Sequence, residues 1–272
     1  MIAKKGGWPI MPAGPALKKG ARGNRVAILR ALLKISGDLD CFGESPADFF
    51  GDAVEQAVRK FQKRHGLEVD GIVGPITLSA LNVPVEKRMQ QIRLNMERWR
   101  EFPYDFGRRY ILINTANYEL KVVEDGQTII KRRAIVGRPD RPTPVFSGEM
   151  TYLVINPYWY VPSRIATEDI LPKIKANSDY LIEQKIRVFE VVEDQIVEVD
   201  RKSIDWSIVT GGSFPYKLRQ EPGSMNALGR VKFMFPNRFS VYIHDTPARG
   251  LFEKTQRHFS SGCIRIEDPV DL

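Results

Sequence analysis

The sequence is poor in the residues that build metal centres and disulfide frameworks. Two cysteines, Cys41 and Cys263, and three histidines, His65, His244 and His258, are all that 272 residues provide. The cysteines lie far apart and no CxxC occurs. A disulfide scaffold is therefore excluded, and at most one long-range bridge remains. Histidines so few and scattered do not supply the closely spaced His and Cys pairs of a structural zinc site, so no metal is expected. No run approaches the ~18 apolar residues of a membrane span. The opening MIAKKGGWPIMPAGPALKKG has basic residues but no apolar stretch of ~7–15 residues behind them, so it does not read as a signal peptide. On this reading the chain is either cytosolic or a piece whose export signal lies outside it. A dense basic block is missing too. The net charge of +8 is spread along the chain, which argues against nucleic acid and suits a polyanionic partner.

What is present fits a globular protein long enough for two domains. Residues 17–83 read as a small helical unit. Asn24 is a candidate N-cap for a helix with Val26, Leu29, Leu32 and Leu33 on one face. GDAVEQAVRKFQKRHGL predicts a second helix, with Asp52 and Glu55 as a capping box. Its apolar face carries Val54, Ala57, Val58 and Phe61, and Gly66 is its stop. A turn at Asp70-Gly71 then leads to a third helix with Pro75 at its first position. Residues 84–107 predict a linker helix, whose Met89, Ile92, Met96 and Trp99 share one face and should pack on neighbours.

From residue 108 the periodicity changes to two. YILINTA, YELKVVED and QTIIKRRAIVG read as three strands, with a hairpin turn at Glu124-Asp125-Gly126. MTYLVINPYWYVP reads as a fourth. Residues 163–223 form a mixed insertion. It begins helical, and Pro172 should break or kink that helix. Strands IRVFEVV and WSIVT follow, and Tyr180, Phe189, Trp206, Phe214 and Tyr216 form its small core. GRVKFMF and FSVYIHDT then return to strong β character. The fold class is α+β: a three-helix module followed by a mostly-β domain, 108–272.

Taken as a strand, SVYIHDT sends Val241 and Ile243 to the core and Tyr242 and His244 to a more open face. Cys263 follows in the stretch FSSGCIRIED. A thiol attacks carbonyls as thiolate, and a neighbouring imidazole raises the thiolate fraction. Gly262 lets the chain bring backbone N–H donors close to a developing oxyanion. Arg265 can hold a carboxylate or carbonyl by charge-assisted hydrogen bonds. A buried inert thiol is the competing account of Cys263, and His258 is a rival base by proximity.

These motifs carry two resemblances. AVRKFQKRHGLEVDGIVGPITLSALN resembles the helical peptidoglycan-binding module attached to many bacterial cell-wall enzymes. His244, then Ser260-Ser261-Gly262-Cys263-Ile264-Arg265, resembles the signature of the YkuD-type L,D-transpeptidases. The strings GRPDRPTPVFSGEMTYLVINPYWYVP and PGSMNALGRVKFMF resemble the large periplasmic subgroup, in which an insertion caps the active site. The resemblance implies Cys263 as nucleophile and His244 as its base, with the second imidazole nitrogen held by a backbone carbonyl. It implies oxyanion-hole amides from Gly262 and Cys263, and a pocket lined by Tyr242, Ser261 and Arg265. Many relatives have histidine where Ser261 stands; the large subgroup commonly has serine. The implied reaction joins peptidoglycan stem peptides by 3–3 cross-links through a cysteine thioester. The implied partners are a tetrapeptide donor, a stem-peptide acceptor and other cell-wall enzymes. No cofactor is implied, the location is periplasmic, and carbapenems are expected to acylate Cys263. The alternatives are an L,D-carboxypeptidase, an enzyme anchoring lipoproteins, a generic cysteine peptidase, or a wall-binding scaffold with a weak or inert catalytic domain. The chain stops at EDPVDL, where a helix begins and relatives continue.

Overall fold

A computed structural model describes residues 2, 6–40, 46–102 and 105–272. Cys41 lies outside them, so the long-range bridge does too. The chain divides into two compact units, Met1–Gly107 and Arg108–Leu272.

The first unit contains α1 (Asn24–Ile35), α2 (Asp52–Arg64), α3 (Pro75–Leu81) and α4 (Val85–Arg100). Val26, Leu29, Leu33, Val54, Val58, Phe61 and Leu81 fill its core. Pro75 opens α3 as expected. The two expected side-chain caps are not made. Gly23 and Gly51 occupy the N-cap positions, so Asn24 and Asp52 are already inside their helices. Asp52 instead pairs with Lys19, and with Glu55 it places negative charge at the positive helix end.

A buried glutamine explains much of the FQ…DG…T string. Gln62, 1% exposed, donates to Asp70 Oδ1 (2.7 Å), Ile72 O (3.0 Å) and Thr77 Oγ1 (3.2 Å). Its Oε1 accepts from Gly71 N at 2.9 Å. One side chain thus ties α2 to the turn and to the start of α3. The N-terminal segment is tied to the end of α3. Met11 is buried, and its backbone N–H and C=O exchange hydrogen bonds with the Asn82 side chain.

The linker helix departs from expectation. Only Val85 of α4 is buried, while Met89, Ile92, Met96 and Trp99 remain exposed. The core cluster is complete by Leu81 with Met11 and Leu17 in it, which leaves no vacancy for the α4 stripe.

The second unit holds β1 (Arg109–Asn114), β2 (Glu119–Glu124), β3 (Gln127–Gly137), β4 (Tyr152–Ile155), β5 (Trp159–Tyr160), β6 (Ile186–Val192), β7 (Gln195–Val199), β8 (Lys217–Gln220), β9 (Val231–Met234), β10 (Ile243–His244), β11 (His258–Ser260) and β12 (Ile264–Ile266). The large sheet has the order β1-β2-β3-β12-β10-β9-β4, with β11 also on β3. Its core face buries Leu120, Val122, Ala134, Phe233, Val241, Ile243, Ile264 and Ile266. Asp125 and Gly126 both take positive φ, the twist-matched hairpin geometry of the β2–β3 turn.

A second sheet, β5-β8-β6-β7, has three of its strands in the insertion and its edge strand β5 just before it. The insertion's helices pack Ile170, Ile174 and Leu181 on Ile186, Val188 and Leu218, with Tyr180, Trp206, Phe214 and Tyr216 around them. Pro172 does not end the helical run. A π turn, Ala166–Ile170, stands between α5 (Ser163–Ile165) and α6 (Leu171–Ala176); a wider turn relieves the clash of a proline ring with the preceding carbonyls. WSIVT is not a strand. The Asp205 carboxylate accepts from Ser207 N and Oγ and folds it into a turn. β6 pairs with β8 on one side and with β7 on the other, across a turn in which Glu193 and Asp194 have positive φ.

Replacing Gln62 by Leu leaves the Gly71 N–H and its neighbours without their partner. We expect a loss of about 2–3 kcal/mol in the stability of the first unit, read by denaturant unfolding. A change below about 0.5 kcal/mol, the range of an ordinary surface substitution, contradicts the hub.

Candidate active site

Strand register assembles the site. β10 pairs with β12 in parallel, Ile243 opposite Ile264 and His244 opposite Arg265. β10 also pairs antiparallel with β9, Ile243 opposite Phe233 and His244 opposite Lys232. Directly opposed residues point to one face. Ile243, Ile264 and Phe233 face the core, so His244, Arg265 and Lys232 face away from it. Tyr242 and Cys263 lie two residues before His244 and Arg265 and return to this face. The rings of Tyr242 and His244 are 5.5 Å apart, and the Lys232 Nζ sits 3.9 Å from the Tyr242 ring centroid.

β10 is much shorter than the expected FSVYIHDT strand. Ser240 has φ +54°, and the Asn237 side chain takes up both the N–H and the C=O of Val241. The ladder therefore starts only at Ile243. His244 is also less open than expected, at 4% exposed.

The His244 Nδ1 lies 2.5 Å from the Asp245 carbonyl oxygen. A carbonyl can only accept, so Nδ1 carries the proton and Nε2 is left as the acceptor. Asp245 is held in turn. Its buried carboxylate accepts from Arg230 N (2.8 Å) and Thr246 N (2.7 Å) and pairs with Arg249 Nη2 (2.5 Å). Burial, then the nearby Arg265 charge, push the His244 pKa down to about 3.

Cys263 is a half-buried free thiol. Its sulfur lies 3.9 Å from Ser240 O. Burial raises its pKa, and this outweighs the Tyr242 backbone N–H and hydroxyl, Lys232 and Arg265, all of which favour the anion. Burial likewise pushes the Tyr242 hydroxyl up, and the Trp159 side chain of β5 opposes that by hydrogen bonding to it. The resting site therefore holds a thiol and a neutral imidazole, where the sequence suggested a thiolate.

The loop before Cys263 is pinned at several points. Gly262 takes φ +117°, a conformation that disfavours any side chain. Its carbonyl accepts from Thr143 Oγ1 at 2.8 Å. Its N–H is already donated to Ser260 Oγ at 3.2 Å, so it is not the free donor expected, while the Cys263 N–H has no partner among the described residues. Ser261 Oγ meets Arg141 Nη1 at 2.9 Å. Arg141 reaches Asp169 (2.5 Å) and Glu168 on the π turn of the insertion, and Arg138 joins Asp169 at 3.1 Å. A Cβ at Gly137 would lie 2.2 Å from Arg141 O, so only glycine lets this loop fold back. His258 is engaged elsewhere, its Nδ1 3.1 Å from the Tyr118 hydroxyl.

Sequence reasoning missed Lys232, Asp245, Arg141 and Trp159. Lys232 alone left a local signal, a charge inside the apolar run RVKFMF. Arg141 and Trp159 act across contacts between distant segments, and Asp245 acts through its own turn, where its sequence gives no sign of the role. Among the described residues, no cluster of three or more His, Cys, Asp or Glu could hold a metal, and no helix is long and apolar enough to cross a membrane.

A small helical unit joined to a β domain that presents a cysteine and a tautomer-fixed histidine on one sheet face defines a class of modular thiol proteins. Within it, residues 108–272 match the model of the YkuD family, described as the L,D-transpeptidase catalytic domain, and the chain belongs to that family. Residues 22–81 match a model described as "Putative peptidoglycan binding domain". A curated Haemophilus influenzae protein named "Putative L,D-transpeptidase" is 40% identical over 183 residues, covering 67% of this chain and 36% of that protein. The chain thus spans about a third of that relative's length. Among solved structures, an L,D-transpeptidase from Stackebrandtia nassauensis is 15% identical, covers 94% of this chain and 86% of its own, and has a TM-score of 0.35. One from Xylanimonas cellulosilytica is 20% identical, covers 95% and 90%, and has a TM-score of 0.26. At such scores neither adds to the family match.

The depressed His244 pKa fixes the sign of an acid effect. The unfolded chain binds a proton at His244 below pH ~6.5 and the folded chain does not until about 3. Stability conferred by the neutral ring is complete above ~6.5 and falls as pH drops toward 3. At pH 5 the loss is on the order of 2 kcal/mol. His244→Asn should flatten the unfolding free energy of this unit between pH 6.5 and 5; a profile parallel to the wild type contradicts the assignment.

Proposed function

We propose that residues 108–272 catalyse L,D-transpeptidation between peptidoglycan stem peptides through a Cys263 thioester. The observation that carries this reading is the shared face of Cys263 and His244, with Nδ1 on the Asp245 carbonyl and Nε2 available to accept a proton. As the Cys263 sulfur attacks the carbonyl of the third, diamino-acid residue of a tetrapeptide, its proton passes to His244 Nε2. The C–S bond forms, the peptide bond to the terminal D-alanine breaks, and His244 returns the proton to the departing amine. The side-chain amine of a second stem then attacks the thioester. A new amide bond forms and the thiol is restored by the same imidazole.

Because thiol and imidazole are both neutral at rest, His244 acts as a general base during attack and does not hold a preformed ion pair. The unpartnered Cys263 N–H is the main-chain donor for the oxyanion. The Tyr242 hydroxyl, kept protonated by burial, supplies a second donor. The Gly262 N–H joins only by leaving Ser260 Oγ. Arg265 and Ser261 line the donor site. The helical module, 17–83, serves to hold the wall, and the insertion, 163–223, is a lid that orders the donor and excludes water. It is tied to the site by Arg141, between Ser261 and the π turn, and by β5, which pairs with its β8 and whose Trp159 meets Tyr242. A periplasmic setting follows from this substrate.

Incubation with purified tetrapeptide muropeptides, separating cross-linked dimer from trimmed tripeptide, tests the reaction. Dimer is expected; tripeptide alone points to a carboxypeptidase. A carbapenem adduct on the intact protein should vanish in Cys263→Ala, and His244→Asn should acylate at least about a hundredfold more slowly. An absent adduct on the wild type leaves a wall-binding scaffold.

A further inference from the structure

We infer that Lys232 and Arg265 form a two-cation clamp for a carboxylate of the acyl donor beside Cys263, with Lys232 a specificity-determining residue. The inference rests on the reading of Cys263 as the acylated group, and it adds a residue and a ligand chemistry to it.

Three observations carry it. The register places both cations on the face of Cys263, each directly opposite His244, one from β9 and one from β12. Neither makes an ion pair or a hydrogen bond with another described residue, although almost every other interior or half-buried basic side chain of this sheet has a carboxylate; Arg133, for example, holds both Glu253 and Glu267. The Arg265 Nε is buried without a partner. Burial lowers the pKa of both groups, and the only opposing influences come from Cys263 and, at Arg265, Tyr242.

Two half-desolvated like charges around one neutral thiol are unfavourable unless an anion visits them. The thiolate is one such anion, but it exists only briefly when the resting sulfur is protonated. A donor carboxylate a few bonds from the scissile carbonyl is the other. Lys232 lies against the Tyr242 ring, which holds the ammonium toward the site by a cation–π contact. Arg265 offers a planar fork suited to a carboxylate.

The test uses two alkylating probes of nearly equal size, iodoacetate and iodoacetamide. Each joins the Cys263 sulfur to its methylene carbon with loss of iodide and a proton. It requires an accessible thiol and no transpeptidation. The iodoacetate-to-iodoacetamide rate ratio should fall about fivefold or more in Lys232→Met, stay near wild type in Lys232→Arg, and fall with added salt in the wild type. If K232M does not fold, the Lys232→Arg and salt measurements decide alone. A salt-independent wild-type ratio, or an equal slowing with both probes that leaves the ratio unchanged in K232M, overturns the clamp, since Lys232 then only tunes the thiol. A ratio that responds as expected in a protein that transfers no peptide keeps the clamp and discards the enzyme reading. In an active protein, K232M should lose discrimination against a tetrapeptide amidated at its C-terminus, or else at its diamino-acid carboxylate, which identifies the carboxylate held.

Discussion

The parallel pairing of β10 with β12 is the constraint on which the site depends. Parallel neighbours cannot be joined by a hairpin, so two stretches of distant sequence are brought side by side with a fixed register. That register places Tyr242, His244, Cys263 and Arg265 on one face and Val241, Ile243, Ile264 and Ile266 in the core. A slip of one residue would exchange the two sets. The apolar residues thereby enforce the alignment of the polar ones. Chemistry and packing are selected by the same alternation, and neither can drift without the other.

The loop from Gly137 to Thr143 ties the segment before Cys263 to the insertion. Thr143 bridges Gly137 N and Gly262 O, and Arg141 reaches both Ser261 and the acidic pair on the π turn. Burial pushes Asp169 up, but its bonds from Arg141 and Arg138 prevail and hold it ionised. The wide turn before Pro172 thus does more than accommodate a proline. It carries Glu168 and Asp169 as adjacent residues whose carboxylates both meet Arg141, so one basic side chain of the 137–143 loop is anchored by two neighbouring acids.

Much of this was legible from the sequence where the signal is local. Pro75 marked the start of α3, Asp125-Gly126 marked a hairpin, and alternation in SVYIHDT separated core from face. Local signals failed where a competing contact decided the outcome. Asn24 and Asp52 have good capping chemistry, yet glycines precede them and Asp52 finds Lys19. The Met89, Ile92, Met96 and Trp99 stripe has the period of a packed face, but the core closes without it. WSIVT has β-type residues, and the Asp205 carboxylate folds it into a turn. Lys232, Arg141 and Trp159 owe their places to pairings between segments far apart in sequence, which no window of neighbours records, whereas Asp245 is held mainly by neighbours in its own turn.

The protonated state of the Cys263 sulfur has a bearing on chemical durability. Attack by peroxides and exchange with disulfides both track the thiolate population. Burial raises the Cys263 pKa and lowers that of His244, so neither group favours a standing thiolate and that population stays small. The burial that raises the thiol pKa therefore also disfavours its slow oxidation.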